Sequence, residues 1–133
     1  SLRRVSPNTI NSITVSTTTL DAYFAPLNIG PHVIKLDIEG AELLALRGAE
    51  GVLRTFRPIL VVEASKELMH AFGYGCGDLI DFLRAVDYHL YTLNYSALKP
   101  IPTEYRSGYE NLICLPRDSS SYTALTSSGI RPI

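Results

Sequence analysis

An unbroken apolar run at residues 59–62, Ile-Leu-Val-Val, limits what this chain can fold into more than any other feature. The Arg57-Pro58 pair before it ends a helical pattern, and Glu63 follows it. A strand with one face in water alternates apolar and polar residues, whereas this run has no alternation. We therefore predict a short strand buried on both faces, which is typical of a sheet covered by helices.

Strand and helix patterns alternate on both sides of this run. Strands are predicted at 32–38, 59–63 and 88–93, helices at 20–24, 41–56 and 78–86, and a further short strand at 13–15. This order predicts an α/β fold whose parallel strands are joined by right-handed helical crossovers. The last strand pattern, 110–115, follows its predecessor without an intervening helix, so we expect that strand to run antiparallel.

Composition places the chain among globular proteins of one domain. Hydrophobic residues make up 46% of the 133 residues and charged residues 19%. We expect a lead-in at 1–12, one domain at 13–116 and a mobile Ser-rich tail at 117–133. A net charge of −1 argues against nucleic acid as a partner, and no apolar run is long enough for a membrane span. With two cysteines and no visible signal peptide, we expect a cytoplasmic protein.

Acidic residues stand at the ends of two predicted strands. Asp37 and Glu39 end the first, and Glu63 ends the second. If these strands are parallel neighbours, Asp37 and Glu63 emerge at the same rim, where open α/β sheets bind ligands. Such carboxylates can hold a hydroxyl proton or a divalent cation, although capping of the next helix also explains some of the acids at 37–42. We expect capping for at least one of Glu39 and Glu42, and Glu39 is nearer the strand tip, so Asp37, Glu39 and Glu63 are the candidate catalytic residues and metal dependence stays undecided.

Glycines and cysteines suggest structural rather than chemical roles. Gly48 and Gly51 interrupt the 41–56 helix and predict a close approach of that helix to the sheet. The segment Gly73–Gly77 imitates a nucleotide loop, but it does not follow a strand, so we interpret it as a turn. Cys76 is expected in a loop and Cys114 in a buried strand, and neither is expected to act as a nucleophile.

Four segments together resemble one enzyme family. They are 15–21 (VSTTTLD), 33–42 (VIKLDIEGAE), 46–49 (LRGA) and 57–63 (RPILVVE). In content, order and spacing they are similar to the FkbM family of S-adenosylmethionine-dependent methyltransferases, which act mostly on oxygen. The resemblance covers residues 13–116, and KLDIEGAE at 35–42 is its most specific part.

This resemblance implies a fold, a cofactor and roles for the acids. The fold would be the Rossmann-like seven-stranded methyltransferase sheet, of which this chain supplies the C-terminal part with a terminal antiparallel strand pair. The cofactor would be S-adenosyl-L-methionine, and its glycine-rich loop is expected upstream of this chain. Asp37 corresponds to the position that faces cofactor and acceptor, with Glu39 or Glu63 assisting. The chain would then be the acceptor-side half of an O-methyltransferase, inactive alone, whose acceptor is a small molecule or glycan.

Two other functions fit the same residues. Asp37 and Glu39 would also form an acid-x-acid clamp for the cation of a metal-dependent sugar or phosphate transferase. Alternatively, the half-domain is a non-catalytic interaction module that self-associates through the exposed apolar edge of the 32–38 strand. Under the methyltransferase interpretation, acceptor choice is expected to lie in the loops at 64–77 and 94–109.

Overall fold

The computed structural model describes residues 14–94, 97–102, 105 and 109–117, together with positions 120, 123 and 127. The predicted lead-in at 1–12 lies outside the described residues, as does most of the predicted tail at 117–133.

Helices and strands alternate through most of the described chain. The helices are α1 (Leu20–Phe24), α2 (Glu42–Arg47), α3 (Glu50–Phe56), α4 (Lys66–His70) and α5 (Cys76–Ala85). The strands are β1 (Val33–Leu36), β2 (Ile59–Ser65), β3 (Tyr88–Asn94), β4 (Ala97–Pro100) and β5 (Tyr109–Pro116). None of the described helices is long and apolar enough to cross a membrane.

The five strands form one mixed sheet in the order β1-β2-β5-β3-β4. β1 and β2 are parallel, as the strand–helix–strand pattern predicts. β5 is antiparallel to both of its neighbours, which confirms the expected direction of the last strand. Its position between β2 and β3 was not predicted, because the direction of a strand does not decide which neighbours it pairs with.

Successive strand residues separate into apolar clusters on the two faces of the sheet. The larger cluster, which also contains α2 and α5 side chains, includes Leu36, Leu60, Val62, Leu90, Leu112 and Cys114. The smaller cluster contains the buried residues Tyr91, Leu98 and Leu115, with Ile59 and Ile113 packed against them. In the 59–62 run, Leu60 and Val62 are fully buried, whereas Ile59 and Val61 are half-buried.

The predicted helix at 41–56 is two helices, and its glycines approach another helix rather than the sheet. α2 ends with Gly48 as its C-cap, and α3 begins after Ala49. A Cβ at Gly48 would lie 3.1 Å from Thr19 Cγ2, and one at Gly51 would lie 3.1 Å from Asp21 Oδ1. The glycines therefore allow α1 and the residue before it to pack closely against the α2–α3 junction.

Other differences from the sequence predictions are local. The strand predicted at 32–38 is shorter, Val33–Leu36, because a tight turn begins after Asp37. Thr14 and Val15 have no regular structure, while Ile13 lies outside the described residues. Within the loop predicted at 94–109, β4 pairs antiparallel with β3, so part of that loop is a hairpin.

Asp21 joins α1 to the start of α3. Its Oδ1 accepts a hydrogen bond from the Val52 N–H at 2.8 Å, and its Oδ2 accepts one from the Gly51 N–H at 3.0 Å. These N–H groups belong to the first turn of α3, where the helix supplies no internal acceptor. A carboxylate there also interacts favourably with the helix dipole. Asp21 is thus a capping residue supplied from a different helix.

Replacing this carboxylate should destabilise the fold. We expect Asp21→Ala to lower the free energy of unfolding by about 1–2 kcal/mol, because two N–H groups lose their acceptor. Urea unfolding monitored by circular dichroism would measure the change as a lower midpoint at unchanged slope. Asp81→Ala, an exposed position on α5, is the control and should not lower stability. Equal midpoints for Asp21→Ala and the unsubstituted chain would contradict this role.

Candidate functional site at the ends of two parallel strands

The register between β1 and β2 brings two of the predicted acids together. The last residue pair of this ladder is Leu36 with Val62, so Asp37 and Glu63 come one step later, side by side. Continued by one step, this register would put both side chains on the same face of the sheet, with Asp37 just after the end of β1 and Glu63 two residues before the end of β2. The prediction that both acids end their strands is wrong for Glu63, because β2 continues to Ser65, and a shared site for Asp37 and Glu63 stays a prediction.

Asp37 is the accessible member of this pair. Its Oδ2 lies 2.7 Å from Lys35 Nζ, and both side chains are about half exposed to solvent. An ion pair with this exposure contributes about 0–1 kcal/mol and is easily exchanged for other partners. The Asp37 carboxylate can therefore turn from Lys35 to a ligand hydroxyl at little cost.

Glu63 is the buried member, with 8% of its surface exposed. It lies inside the sheet, since β2 continues to Ser65 and pairs there with β5. Its partner in that ladder is Asn111. The backbone of Glu63 is therefore paired with β5, and its carboxylate is far less accessible than that of Asp37.

Glu39 lies on a tight turn between β1 and α2. The Ala41 N–H donates to the Ile38 oxygen at 3.3 Å, and the two central residues have positive φ, +57° at Glu39 and +98° at Gly40. Two positive φ values define a type I′ turn, which glycine accepts freely. For Glu39 this conformation costs about 1–2 kcal/mol. Its side chain is exposed, so the turn holds it at the rim near Asp37 without burying it.

Glu42 is the acid that stabilises this turn. It is 1% exposed, and its Oε1 accepts hydrogen bonds from the Ile38 N–H at 3.0 Å and the Gly40 N–H at 3.2 Å. Within the described residues, its Oε2 is buried without a hydrogen-bond partner. Glu42 therefore holds the turn before α2 and does not cap the helix as expected, since the N-cap Ala41 has no side-chain hydrogen bond.

Tyr74 also holds the turn, a contact that no local sequence pattern predicts. Its hydroxyl donates to the Gly40 oxygen and accepts from the Leu43 N–H at 3.2 Å. Burial raises the pKa of the Tyr74 hydroxyl, the hydrogen bond from Leu43 opposes this, and the nearby Glu42 carboxylate reinforces it. The hydroxyl therefore stays protonated and keeps its role as a donor.

The Gly73–Gly77 segment that carries Tyr74 was predicted as a turn, but its last two residues already belong to α5. Gly75 is the N-cap of α5, and its N–H donates to Asp78 Oδ2 at 2.8 Å. The segment follows α4 rather than a strand. It therefore lacks the strand–loop–helix arrangement in which a glycine-rich loop binds a nucleotide or S-adenosylmethionine.

Gly40 is required at its position by space as well as by φ. A Cβ there would lie 2.5 Å from the main-chain carbon and oxygen of Leu68 in α4, whereas a Cβ at Gly73 would have nothing within 4 Å. Both glycines have positive φ. Substitutions at Gly40 and Gly73 therefore separate the free-energy cost of the backbone conformation from that of the clash with Leu68.

Alanine at these two glycines should give unequal losses of stability. We expect Gly73→Ala to cost about 1–2 kcal/mol from its backbone conformation alone. Gly40→Ala should cost about 1–3 kcal/mol more, because α4 must move. Thermal and urea unfolding of both variants would measure the difference. Equal losses would show that α4 does not pack on the turn as described.

Metal binding by the acid-x-acid clamp has little support from the side chains. The described residues contain no group of three or more His, Cys, Asp or Glu side chains placed to hold one ion. Asp37 and Glu39 are both exposed. Divalent cations are usually held by more oxygen ligands than two exposed carboxylates supply.

Both thiols are buried, which excludes them as nucleophiles in the folded chain. Cys114 lies in the core as predicted, but Cys76 is buried at the start of α5 rather than exposed in a loop. Burial raises the pKa of both thiols, most strongly that of Cys114. The thiolate is the reactive form, so neither residue is activated.

The raised pKa of Cys114 predicts alkaline destabilisation. Above the ordinary pKa of 9.0, the unfolded thiol loses its proton while the folded thiol keeps it. The free energy of unfolding should then fall by up to about 1.4 kcal/mol per pH unit from this group. Cys114→Ala should remove that slope between pH 9 and 10, whatever its effect at neutral pH. An unchanged slope in urea titrations at these pH values would refute the assignment.

Comparison with known proteins gives one finding. A family model described as the methyltransferase FkbM domain matches residues 1–90, which include β1, the turn, β2 and all five helices. No curated protein and no solved structure matches the chain.

Proposed function

This chain belongs to the FkbM methyltransferase family, and from that premise we propose that it transfers a methyl group from S-adenosylmethionine to a hydroxyl oxygen. The acceptor is a small molecule or a glycan, and the reaction takes place at the rim where β1 and β2 end. The observation that carries this proposal is the β1–β2 register, which puts an accessible carboxylate, Asp37, beside a buried one, Glu63.

The two carboxylates have different roles in this proposal. S-adenosylmethionine, when bound, supplies an electrophilic methyl group on a sulfonium centre. The acceptor oxygen must be held in line with that methyl group, and it must lose its proton during transfer. Asp37 is exposed and loosely paired, so we assign it to proton acceptance. Glu63 is fixed by the sheet and positions the hydroxyl, and Glu39 assists from the turn.

The described residues do not by themselves fit the cofactor. The one glycine-rich segment among them caps α5 and packs on the turn through Tyr74, so we derive no step through a cofactor bound there. Instead we propose that the cofactor loop belongs to a parallel strand added at the free edge of β1. Within the described residues β1 pairs with β2 alone, and Val33 at the start of β1 is 58% exposed.

This placement would also explain why the acids lie where they do. α2 and α3 connect β1 to β2, with α2 packed on the face of the larger cluster. A further strand beside β1 would be joined to it by a connection that crosses the opposite face of the sheet. β1 would then be the strand at which successive connections change from one face of the sheet to the other. Open α/β sheets bind ligands in the crevice at such a point, directly beyond Asp37. The seven-stranded methyltransferase sheet has this arrangement, and the same edge would allow the isolated chain to self-associate.

Asp37 should be required for methyl transfer. We expect Asp37→Asn to lower kcat/KM at least about 100-fold, because the amide cannot accept the proton. The assay measures radioactive methyl transfer by the complete protein of this reading frame to a panel of hydroxylated acceptors. Glu50→Gln in α3 removes a carboxylate that pairs with Arg54, and it should leave the rate unchanged. Full activity of Asp37→Asn would contradict the assignment.

Cofactor binding should depend on the added strand. Calorimetric titration of S-adenosylhomocysteine into the 133-residue chain and into the complete protein separates the possibilities. Binding by the complete protein alone supports the proposal. Binding by neither overturns it and favours the metal-dependent or non-catalytic alternatives. If the 133-residue chain and the complete protein bind S-adenosylhomocysteine with equal affinity, the added strand is overturned and Gly73–Gly77 becomes the candidate cofactor site.

A further inference from the structure

We propose that Tyr74 is a positioning residue for Asp37, which it holds in place through the turn that follows β1. This inference rests on the proposed function, in which Asp37 accepts the proton of the acceptor hydroxyl. Tyr74 acts through its hydrogen bonds to the main chain of Gly40 and Leu43 and does not touch the acceptor. Its loss should therefore slow methyl transfer without weakening the binding of the acceptor.

Asp37 depends on its main chain for its position. The β1–β2 ladder ends one residue earlier. The Asp37 side chain has an ion pair that is about half exposed, and such a pair holds it only weakly. On its other side, the N–H of the next residue, Ile38, donates to Glu42 Oε1 at 3.0 Å. The turn at 38–41 therefore decides where the Asp37 carboxylate lies.

The turn is poorly held by its own hydrogen bond. That bond, from the Ala41 N–H to the Ile38 oxygen, is long at 3.3 Å. Glu39 has a φ of +57°, which residues other than glycine rarely adopt. A strained segment of this kind persists only where the surrounding structure fixes it. Contacts from outside the turn are therefore required, and Tyr74 makes one of them.

The Tyr74 hydroxyl joins the end of the turn to the start of α2. It donates to the Gly40 oxygen and accepts from the Leu43 N–H at 3.2 Å. The Leu43 N–H belongs to the first turn of α2, where the helix supplies no acceptor. The N-cap residue Ala41 makes no side-chain hydrogen bond that could take its place. Tyr74 thus caps α2 from 31 residues away while it holds Gly40.

Tyr74 is itself anchored to the core. It immediately precedes Gly75, the N-cap of α5, whose N–H donates to Asp78 Oδ2 at 2.8 Å. α5 buries one side in the larger cluster, and the Tyr74 ring packs against the same cluster. Its ring centroid also lies 6.5 Å from that of Phe72. The hydroxyl is therefore a fixed point that restricts the turn rather than moving with it.

Gly40 connects this contact to Asp37. Its oxygen accepts from Tyr74, and its N–H donates at 3.2 Å to Glu42 Oε1. The same Glu42 oxygen accepts from the Ile38 N–H. Without the Tyr74 hydroxyl, the main chain at Gly40 can relax and draw its N–H away from Glu42. Asp37 would then shift, and a displacement of about 1 Å in a reacting group can lower a rate about 100-fold.

Tyr74→Phe keeps the ring and removes both hydrogen bonds. In the complete protein of this reading frame, we expect it to lower kcat at least about tenfold and to leave the KM of the acceptor within about twofold. The reason is that proton acceptance is needed in the transition state, whereas binding of the acceptor does not require it. The assay is the radioactive methyl transfer used for Asp37→Asn.

Tyr88→Phe is the matched structural control. The Tyr88 hydroxyl is also buried and donates to the Pro58 oxygen at 2.9 Å. It lies where β2 and β3 begin, whereas Asp37 follows the end of β1. We expect both substitutions to lower the urea midpoint and Tyr74→Phe alone to lower kcat. Equal losses of kcat in the two variants, or an unchanged kcat for Tyr74→Phe, would overturn the positioning role.

A double variant shows whether Tyr74 acts through Asp37. In the Asp37→Asn background, Tyr74→Phe should change the residual kcat less than about twofold, because the group that it positions has been removed. Losses that multiply in the double variant would refute this route.

Amide hydrogen exchange tests the turn without an activity measurement. Tyr74→Phe should speed exchange of the Ile38, Gly40 and Leu43 amides, and Tyr88→Phe should not. Exchange that Tyr74→Phe leaves unchanged at all three amides would contradict the proposed transmission through the turn.

Failure of this inference is distinguishable from failure of the proposed function. No methyl transfer by the unsubstituted complete protein would refute both. Methyl transfer that is lost with Asp37→Asn and kept at full rate with Tyr74→Phe would refute the positioning role alone.

Discussion

The hydrogen bonds accepted by Glu42 are the constraint on which the acidic rim depends. They connect the start of α2 to the Ile38 and Gly40 N–H groups and so close the turn behind Asp37. The turn is costly by itself, because Glu39 has a positive φ, which residues other than glycine rarely adopt. Two hydrogen bonds donated to the buried Glu42 carboxylate, and one donated by the Tyr74 hydroxyl to the Gly40 oxygen, offset that cost. The exposed carboxylates can then be held at the rim without being buried.

Much of this arrangement was predictable because its causes are local. Apolar runs and the helix between them predicted that β1 and β2 are parallel, and the ladder from Val33–Ile59 to Leu36–Val62 confirms it. The cap of α1 is likewise local, since Thr19, of a residue type that favours N-caps, accepts from the Ala22 N–H through its Oγ1 at 3.0 Å. The direction of β5 followed from the missing helix before it.

The features that could not be predicted depend on contacts between distant residues. Tyr74 meets Gly40 across 34 residues, and Asp21 meets Gly51 across 30. Neither side chain follows a local periodicity, so no pattern near it signals the contact. The insertion of β5 between β2 and β3 is of the same kind. It depends on which strand edges remain available after β1 has paired with β2, and it alone places Asn111 beside Glu63.

The strand order also decides what lies on each side of the acids. The free edge of β1 lies on one side of Asp37, and β5 lies on the far side of β2. Neighbouring strands are about 4.8 Å apart, so the β1 and β5 backbones are separated by about 10 Å. A cofactor strand added at the free edge of β1 would therefore bring the cofactor to the accessible Asp37, whereas β5 holds Glu63 in its ladder.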